Sequence, residues 1–185
     1  ASLGHRLGIN DDLGPALAQW ATEFYNSIDE VLIERPAVRL IRAAAKLSDI
    51  GARLHPDHRA DLACDQVLRA PIPGQNHQER VFLACTIYTR YSGDAYTKEP
   101  VLISRILGED MLRQATQLGL LLRLGCDLSA KSAQLLSHAH IRKDERSLTL
   151  SAKSGWEDLL LGEQTRRRAR ALAQSLKLNL NIITY

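Results

Sequence analysis

A group of side chains that could bind a ligand lies at the end of an apolar segment, residues 38–50. Asp49 closes that segment, and His55 and His58 come shortly after it. Unpaired carbonyl groups at the end of a helix repel a carboxylate, so we expect Asp49 to cap backbone N–H groups or to pair with His58 or Arg59. Arg53 lies in the same stretch, which makes these basic side chains candidates for a phosphate-binding groove. They are equally typical of a solvated surface, and the residues alone leave both interpretations open.

A second basic cluster lies near the C-terminus, where a single alanine interrupts a run of arginines. On a helix, Arg166, Arg167 and Arg170 point outward while Arg168 flanks the core. Guanidinium groups bind phosphate through parallel hydrogen bonds, so the three outward arginines are further phosphate-binding candidates. Such a run is also typical of a solvated helix face. The inner face of this helix is predicted to consist of Thr165, Ala169, Leu172, Ala173 and Leu176.

The element that positions Asp49 is a central helix within residues 36–58. Pro36 suits the first helical position, because the N–H that proline lacks would be unpaired there. Apolar and small residues cover nearly every side from residue 38 to residue 50, which predicts a helix buried all round. Gly51 is predicted to end this helix in the left-handed conformation.

Further helices are predicted on both sides of the central one. Asn76 and Glu79 resemble a capping box, in which two side chains satisfy the first backbone N–H groups of a helix. The predicted segments are a helix after the caps Asn10, Asp11 and Asp12, a short segment at 29–34, and helices at 56–69, 76–92, 101–107 and 109–124. The core stripes are Leu13, Leu17, Trp20 and Phe24 in the first helix, and Val81, Ala84, Cys85 and Tyr88 after the capping box.

The hydrophobic pattern changes after residue 129. Alternating segments flank a charged turn, which predicts a β-hairpin. The predicted elements are strands at 138–141 and 147–151, a helix at 162–176 and a strand at 178–182. The sequence therefore predicts a mostly α fold. A helical bundle over residues 1–130 precedes a small α+β part of strand–strand–helix–strand order over residues 131–185.

Composition excludes several classes of protein. With 185 residues, 45% hydrophobic and 24% charged, the chain can form one globular domain, or one domain with an appendage. A net charge of +3 is too small to indicate nucleic-acid binding, so an anion site must come from local clustering.

The three cysteines, Cys64, Cys85 and Cys126, lie far apart and form no C-x-x-C motif. This spacing argues against disulfides and a zinc site and favours a reducing compartment. No apolar run is long enough to predict a membrane span. The chain begins with neither Met nor a signal-peptide pattern, and we expect it to be a piece of a longer protein.

Four segments of the sequence resemble, in the same order, segments of one protein family. LIRAAAKLSDIG at 40–51 resembles LLRAAALLHDIG, and HPDHRADL at 55–62 resembles HxxHSAYL. TIYTRYSG at 86–93 resembles VRYHRKG, and QLGLLLRLGCDL at 117–128 resembles LIRLLRLAVLL. These patterns are typical of the HD-like domain at the C-terminus of exopolyphosphatase and guanosine-pentaphosphate phosphatase, the Ppx/GppA family.

The resemblance also implies where an HD metal site would lie. A working HD phosphohydrolase holds one or two divalent metals, which activate a bound water as the nucleophile. By the resemblance, Ser48 stands at the histidine of the His-Asp pair, Asp49 at its aspartate, and Cys126 at the distal aspartate, with Asp127 one position on. The first histidine ligand has no counterpart, and Thr89 replaces another family histidine. A single matching ligand cannot hold a catalytic metal, so we expect a degenerate site with no metal and no catalytic residue in this chain.

The function implied by the resemblance is that of an accessory domain. The parent exopolyphosphatase removes terminal phosphate from inorganic polyphosphate with an N-terminal actin-like region that uses Mg²⁺, and no glycine-rich phosphate loop occurs here. The expected partners are polyphosphate, that N-terminal region and a second copy of the chain, in the cytoplasm and without nucleic acid or membrane. The alternative is a regulatory domain that senses guanosine tetraphosphate or pentaphosphate, or the C-terminal domain of a pentaphosphate phosphatase. A live HD phosphohydrolase is disfavoured by Ser48 and Cys126.

Overall fold

The computed structural model describes residues 12–26, 36–71 and 73–185, and the structural statements below concern those residues. The α-helices are Leu13–Asn26 (α1), Val38–Leu47 (α2), Arg59–Arg69 (α3), His77–Ser92 (α4), Pro100–Ser129 (α5), Ala133–Leu136 (α6), Glu157–Leu160 (α7) and Glu163–Ser175 (α8). A 3₁₀-helix at Pro56–His58 precedes α3. The strands are Ala139–Lys143 (β1), Ser147–Ala152 (β2) and Asn179–Thr184 (β3). Helices followed by a small sheet confirm the predicted mostly α fold with an α+β tail. The short helices α6 and α7 were not predicted.

Helix α1 packs its predicted stripe into the core. Its four stripe residues are all buried, because their spacing places them on one face of the helix. The indole Nε1 of Trp20 donates to the Ala139 carbonyl at 2.9 Å, which joins the helical part to strand β1. The predicted caps Asn10 and Asp11, and the predicted segment at 29–34, lie outside the described residues.

Helix α2 differs from the prediction of a helix buried all round. It begins at Val38 after Ala37, so Pro36 precedes the helix, and it ends at Leu47 rather than at residue 50. The basic residues Arg39, Arg42 and Lys46 are exposed. Their spacing of three and four places them on one side of the helix, while the buried residues include Leu40, Ile41 and Ala44. The helix is therefore amphipathic, and the sequence-based prediction was wrong on this point.

Gly51 also differs from its prediction. It does not adopt a left-handed conformation, because the residues of positive φ in the described chain do not include it. The chain leaves α2 through three successive turns of 3.0 Å hydrogen bonds, Ile50 N–H to Leu47, Ala52 N–H to Asp49 and Leu54 N–H to Gly51. Residues other than glycine can adopt the backbone conformation of such turns. The backbone conformation therefore does not explain why position 51 is glycine.

Helices α3 and α4 form as predicted. The predicted start at Pro56 and the end at Arg69 are confirmed. At the start of α4 the Asn76 side chain accepts from the Glu79 N–H, and the Glu79 carboxylate accepts from the Asn76 N–H, which confirms the capping box. Helix α4 ends at Gly93, which has a left-handed backbone with φ 88°.

Helix α5 joins the two helices predicted at 101–107 and 109–124. Gly108, with φ 72° and ψ 165°, breaks its regular path between them, and the second part continues to Ser129. The Gln78 amide donates to the Ile106 carbonyl at 2.9 Å beside this break. Further along, a Cβ on Gly119 would lie 2.6 Å from the Thr86 carbonyl oxygen. Because α5 meets the beginning, middle and end of α4 in the same order, the second part of α5 runs parallel to α4.

The three strands form one sheet of order β1–β2–β3. Strands β1 and β2 pair antiparallel as the predicted hairpin, and β3 pairs parallel to β2 after α8 crosses over. In the hairpin turn the Asp144 carboxylate accepts from the N–H groups of Arg146 and Ser147 at 2.8 and 2.7 Å. These bonds, with that from the Ser147 hydroxyl, lower the pKa of Asp144.

One hydrophobic core extends through both parts of the described chain. It includes Phe24, Phe82 and Leu121 from helices and Leu148 and Leu150 from β2. None of the described helices combines the length and the apolar character that a membrane span needs. The division into residues 1–130 and 131–185 stays a prediction.

Candidate anion-binding surface

Ser48 and Asp49 follow the last residue of α2, and Ser48 points into the protein. Its side chain is buried and its hydroxyl donates to the Ala44 carbonyl at 3.0 Å. Its own carbonyl accepts from the Tyr91 hydroxyl at 2.9 Å. Both polar groups of Ser48 that could contact a ligand are thus bonded to the protein itself.

Tyr91 joins the end of α4 to the turn after α2. Its hydroxyl accepts from the Gly51 N–H at 2.8 Å while it donates to Ser48. A Cβ on Gly51 would lie 2.8 Å from Cζ of the Tyr91 ring, a distance that side chains do not tolerate. Gly51 is therefore required for the close approach of this ring. Burial raises the pKa of Tyr91, so its hydroxyl keeps its proton.

Arg90 lies beside Asp49 and Cys126, the residues that stand at two HD ligand positions by the resemblance. Burial lowers its pKa, but the neighbouring Cys126, Tyr91 and Asp49 outweigh that effect, and its pKa is raised. The guanidinium carbon lies 4.2 Å from the centre of the Tyr91 ring. Burial raises the pKa of the Cys126 thiol, although Arg90 acts in the opposite direction. The structure thus brings Asp49 and Cys126 together around an arginine.

This arrangement does not suit a divalent metal ion. A protonated, buried thiol is a poor metal ligand, and a neighbouring guanidinium repels a second cation. In the parts of the chain that the structure describes, no group of three or more His, Cys, Asp and Glu side chains is placed to hold a metal. No reaction step through a metal follows from these residues.

The expected pairing of Asp49 with Arg59 or His58 does not form within the described chain. The Arg59 guanidinium donates instead to the Leu54 carbonyl at 2.9 and 3.1 Å, and closes the turn before α3. His55 caps the 3₁₀-helix, because its Nδ1 accepts from the Asp57 N–H at 3.4 Å. The imidazole rings of His55 and His58 are exposed, and their centres lie 6.2 Å apart.

Arg123 was not identified from the sequence. It is the single charged residue between residues 115 and 126, which is the signal that could have shown it. Its guanidinium donates to the Arg90 carbonyl at 2.9 Å and to the Tyr91 carbonyl, so it caps the end of α4. Burial and the nearby charges of Arg168 and Arg90 lower its pKa to about 10, against the attraction of Asp127.

The arginines of α8 separate into two groups. Arg168 donates to the Asp127 carboxylate at 3.0 Å, and Arg166 donates to the Leu161 carbonyl at 2.7 Å. Arg167 and Arg170 are exposed, and neither forms a hydrogen bond or ion pair with another described residue. The predicted inner face is confirmed, with Leu176 half-buried and the other members buried.

Four half-buried arginines lie between the two regions in which the sequence predicted basic clusters. Arg59 and Tyr91 both lie against Gly51, and Arg90 lies over the Tyr91 ring. Arg123 donates to the backbone carbonyls of Arg90 and Tyr91, and its charge interacts with that of Arg168. We call the row Arg59, Arg90, Arg123 and Arg168 the arginine band. Arg53 is exposed in the turn between α2 and the 3₁₀-helix, and Arg167 and Arg170 are exposed on α8.

Comparison with known protein families finds a match over most of the chain. The family described as the C-terminal part of exopolyphosphatase matches residues 13–183, which is nearly the whole chain. The chain belongs to the exopolyphosphatase C-terminal family. No curated protein matches the sequence. The family match relates the chain to the C-terminal part of exopolyphosphatase, and it assigns no role to an individual residue.

Proposed function

We propose that this chain is a catalytically silent accessory domain of an exopolyphosphatase and that it binds inorganic polyphosphate. The exposed guanidinium groups of Arg53, in the turn after α2, and of Arg167 and Arg170, on α8, carry this proposal. They have no protein partner among the described residues, so their hydrogen-bond donors are available to phosphate oxygens. Arg166 and Arg59 add positive charge, although both already donate to carbonyls, and the exposed imidazoles of His55 and His58 add hydrogen-bond donors.

A row of separated cations suits a polymer better than a compact ligand. Polyphosphate repeats the same anionic group along its chain, and it gains binding free energy mainly by releasing counterions. The exposed arginines belong to different elements, the turn after α2 and helix α8, and we propose that one extended anion contacts both. The net charge of +3 supplies little long-range attraction, so binding of a polyanion depends on local groups of basic residues.

Guanosine tetraphosphate binding in the degenerate HD pocket is less well supported. The Ser48 hydroxyl, the Tyr91 hydroxyl and the Gly51 N–H bond to one another or to backbone carbonyls. A nucleotide would therefore have to break existing bonds before it could form its own. We also propose that the chain associates with an N-terminal actin-like region, which performs the Mg²⁺-dependent hydrolysis, and that it forms a homodimer.

The proposal is tested by measuring polyphosphate binding over a range of salt concentrations. Arg167→Glu with Arg170→Glu should weaken binding at least about tenfold and should flatten the salt dependence by the phosphates no longer neutralised. Both side chains are exposed, so the fold should be unchanged. Fluorescence anisotropy with labelled long-chain polyphosphate measures both quantities, and guanosine tetraphosphate serves as the competitor.

The matched control is Arg105→Glu with Arg113→Glu, which changes the net charge equally. Arg105 and Arg113 are exposed and lie on α5 toward the start of α4, away from the arginine band. This control should bind polyphosphate almost as well as the unchanged protein. Equal losses in both double variants would show that net charge, rather than this surface, controls binding. Strong competition by the nucleotide would favour the alternative.

A further inference from the structure

Strand β3 has an outer edge that no other described strand covers. The sheet order is β1–β2–β3, so β3 pairs on one side with β2 and leaves its other side open within the described chain. The backbone groups of Asn179 and Tyr185 point toward β2, since the Asn179 N–H donates to Arg146 and the Tyr185 N–H to Ala152. Backbone groups alternate sides along a strand, so those of Leu180, Ile182 and Thr184 point outward.

The side chains of this edge carry no charge. From Leu178 to Tyr185 the sequence contains no Lys, Arg, Asp or Glu, and no Pro. Ile183 and Tyr185 are 50% and 51% exposed. Soluble proteins usually protect an edge strand with charges, proline or a covering segment. Strand β3 lacks the first two within its own sequence.

The opposite edge of the same sheet is protected. Strand β1 contains Arg142 and Lys143, and Trp20 of α1 donates to its Ala139 carbonyl. The two edges therefore differ in the features that prevent strands from pairing between molecules. Strand β3 is the edge at which a partner strand can pair.

We propose that the β3 strands of two copies pair antiparallel across a two-fold axis, which gives a homodimer with one continuous sheet. The axis passes beside Ile182, so that Ile182 pairs with its counterpart and Leu180 pairs with Thr184 of the second copy. Every outward N–H and C=O of these residues then has a partner, because antiparallel strands exchange both bonds at such pairs. This interface rests on the homodimer that forms part of the proposed function.

A second copy is the occupant that the side chains favour. In this register Asn181 faces Ile183 of the other copy, and Asn179 faces Tyr185. Like charges directly opposite one another destabilise paired strands, and a segment without charges avoids that penalty when it meets itself. The pairing also closes, because each copy uses its single open β3 edge, so it produces a dimer rather than a filament.

The experiment is sedimentation of the 185-residue chain and its variants at concentrations from about one to a few hundred micromolar, the range expected for a small interface. The unchanged protein should sediment as a dimer at the upper end. Ile182→Lys and Ile182→Glu should each sediment as monomers, because the axis places each new charge opposite itself. An equimolar mixture of the two should recover the dimer, since opposite charges then meet.

Substitution of the half-buried Ile182 can disturb the fold, so two further variants change other residues of the sheet. Thr184→Pro removes one outward N–H from an exposed residue and should weaken the dimer, with unchanged circular dichroism. Arg142→Glu on β1 alters charge at the other edge and should leave the dimer intact.

If the unchanged protein is monomeric throughout, both the homodimer and this interface are wrong. If it is dimeric and folded Ile182 variants remain dimeric, the interface is wrong while the homodimer stands. Polyphosphate binding is measured separately and is decided by neither result.

Discussion

The two ends of helix α4 are stabilised in different ways. At its N-terminus, Asn76 and Glu79 satisfy backbone N–H groups within four consecutive residues, and Arg39 of α2 adds an ion pair to Glu79. At its C-terminus, the carbonyls of Arg90 and Tyr91 accept from Arg123, which lies more than thirty residues later in the chain. The Tyr91 side chain also bonds to the turn after α2.

This difference separates local stabilisation from stabilisation that depends on the whole fold. A capping box needs only the spacing of two residues, so it forms wherever the helix starts. The other end needs α2, α4 and α5 to be assembled before any of its bonds can form. Substitutions at the C-terminal end should therefore have the larger effects on stability.

The largest effect is expected for Arg123→Met, which keeps the aliphatic stem but removes the guanidinium group. Two carbonyls lose a charged donor, so the free energy of unfolding should fall by about 3 kcal/mol. Urea denaturation followed by circular dichroism gives this value. Arg105→Met, at an exposed residue of the same helix, is the control and should change stability by less than about 0.5 kcal/mol. Equal small effects in both variants would show that Arg123 contributes little to this end of α4.

Tyr91→Phe should have an intermediate effect. It keeps the ring against Gly51 and Arg90 but removes the hydroxyl that bonds to Gly51 and Ser48. The loss of these two bonds should cost about 1–2 kcal/mol of unfolding free energy. The matched control is Tyr88→Phe, because the half-buried Tyr88 contacts the Tyr96 ring and its hydroxyl forms no hydrogen bond with another described residue. A Tyr91→Phe variant as stable as the control would contradict the proposed link between α2 and α4.

The smallest effect is expected at the N-terminal end, and it should depend on pH. The hydrogen bond from Arg39 lowers the pKa of Glu79 below its ordinary value of 4.5. The folded protein therefore binds a proton at Glu79 less readily than the unfolded chain does. The stabilisation from this pair is fully present above pH 4.5 and is lost as the pH falls through the lowered pKa.

Glu79→Gln should reduce this acid dependence while changing stability less than Arg123→Met does at neutral pH. Urea denaturation between about pH 6 and pH 3 measures the slope. Asp144→Asn is a useful comparison, because hydrogen bonds from the hairpin turn lower the pKa of Asp144 as well. An unchanged slope in Glu79→Gln would show that Arg39 and Glu79 do not interact in solution.

The same contrast explains which features could be predicted from the sequence. The capping box, the stripe of α1 and the hairpin were correct, because each depends on spacing within one element. Two of the wrong predictions concerned Gly51 and the burial of α2. Both depend on what packs against these residues, namely the Tyr91 ring on Gly51 and the partial exposure of α2 in the assembled fold.

The candidate site was predictable only in part for the same reason. Ser48, Asp49 and Cys126 were placed by resemblance, and the structure brings Asp49 and Cys126 together around Arg90. Neither Arg90 nor Arg123 could be assigned to this place from spacing, since the contact requires two parallel helices. Outward arginines on α8 were recognised from helical periodicity, yet the bond from Arg166 to Leu161 depends on the loop before that helix.

The meeting of the C-terminal ends of α2 and α4 has an electrostatic consequence. The Tyr91 bond to Ser48 joins these two ends, so the negative ends of two helix macrodipoles converge there, each equivalent to roughly half an elementary charge. The half-buried arginines largely neutralise this potential instead of extending a positive field into solvent. An approaching polyanion is therefore attracted mainly by Arg53, Arg167 and Arg170. Replacing Arg123 with a neutral side chain would remove one of the charges that offset these dipoles, and the region between the exposed arginines would become less favourable to an anion.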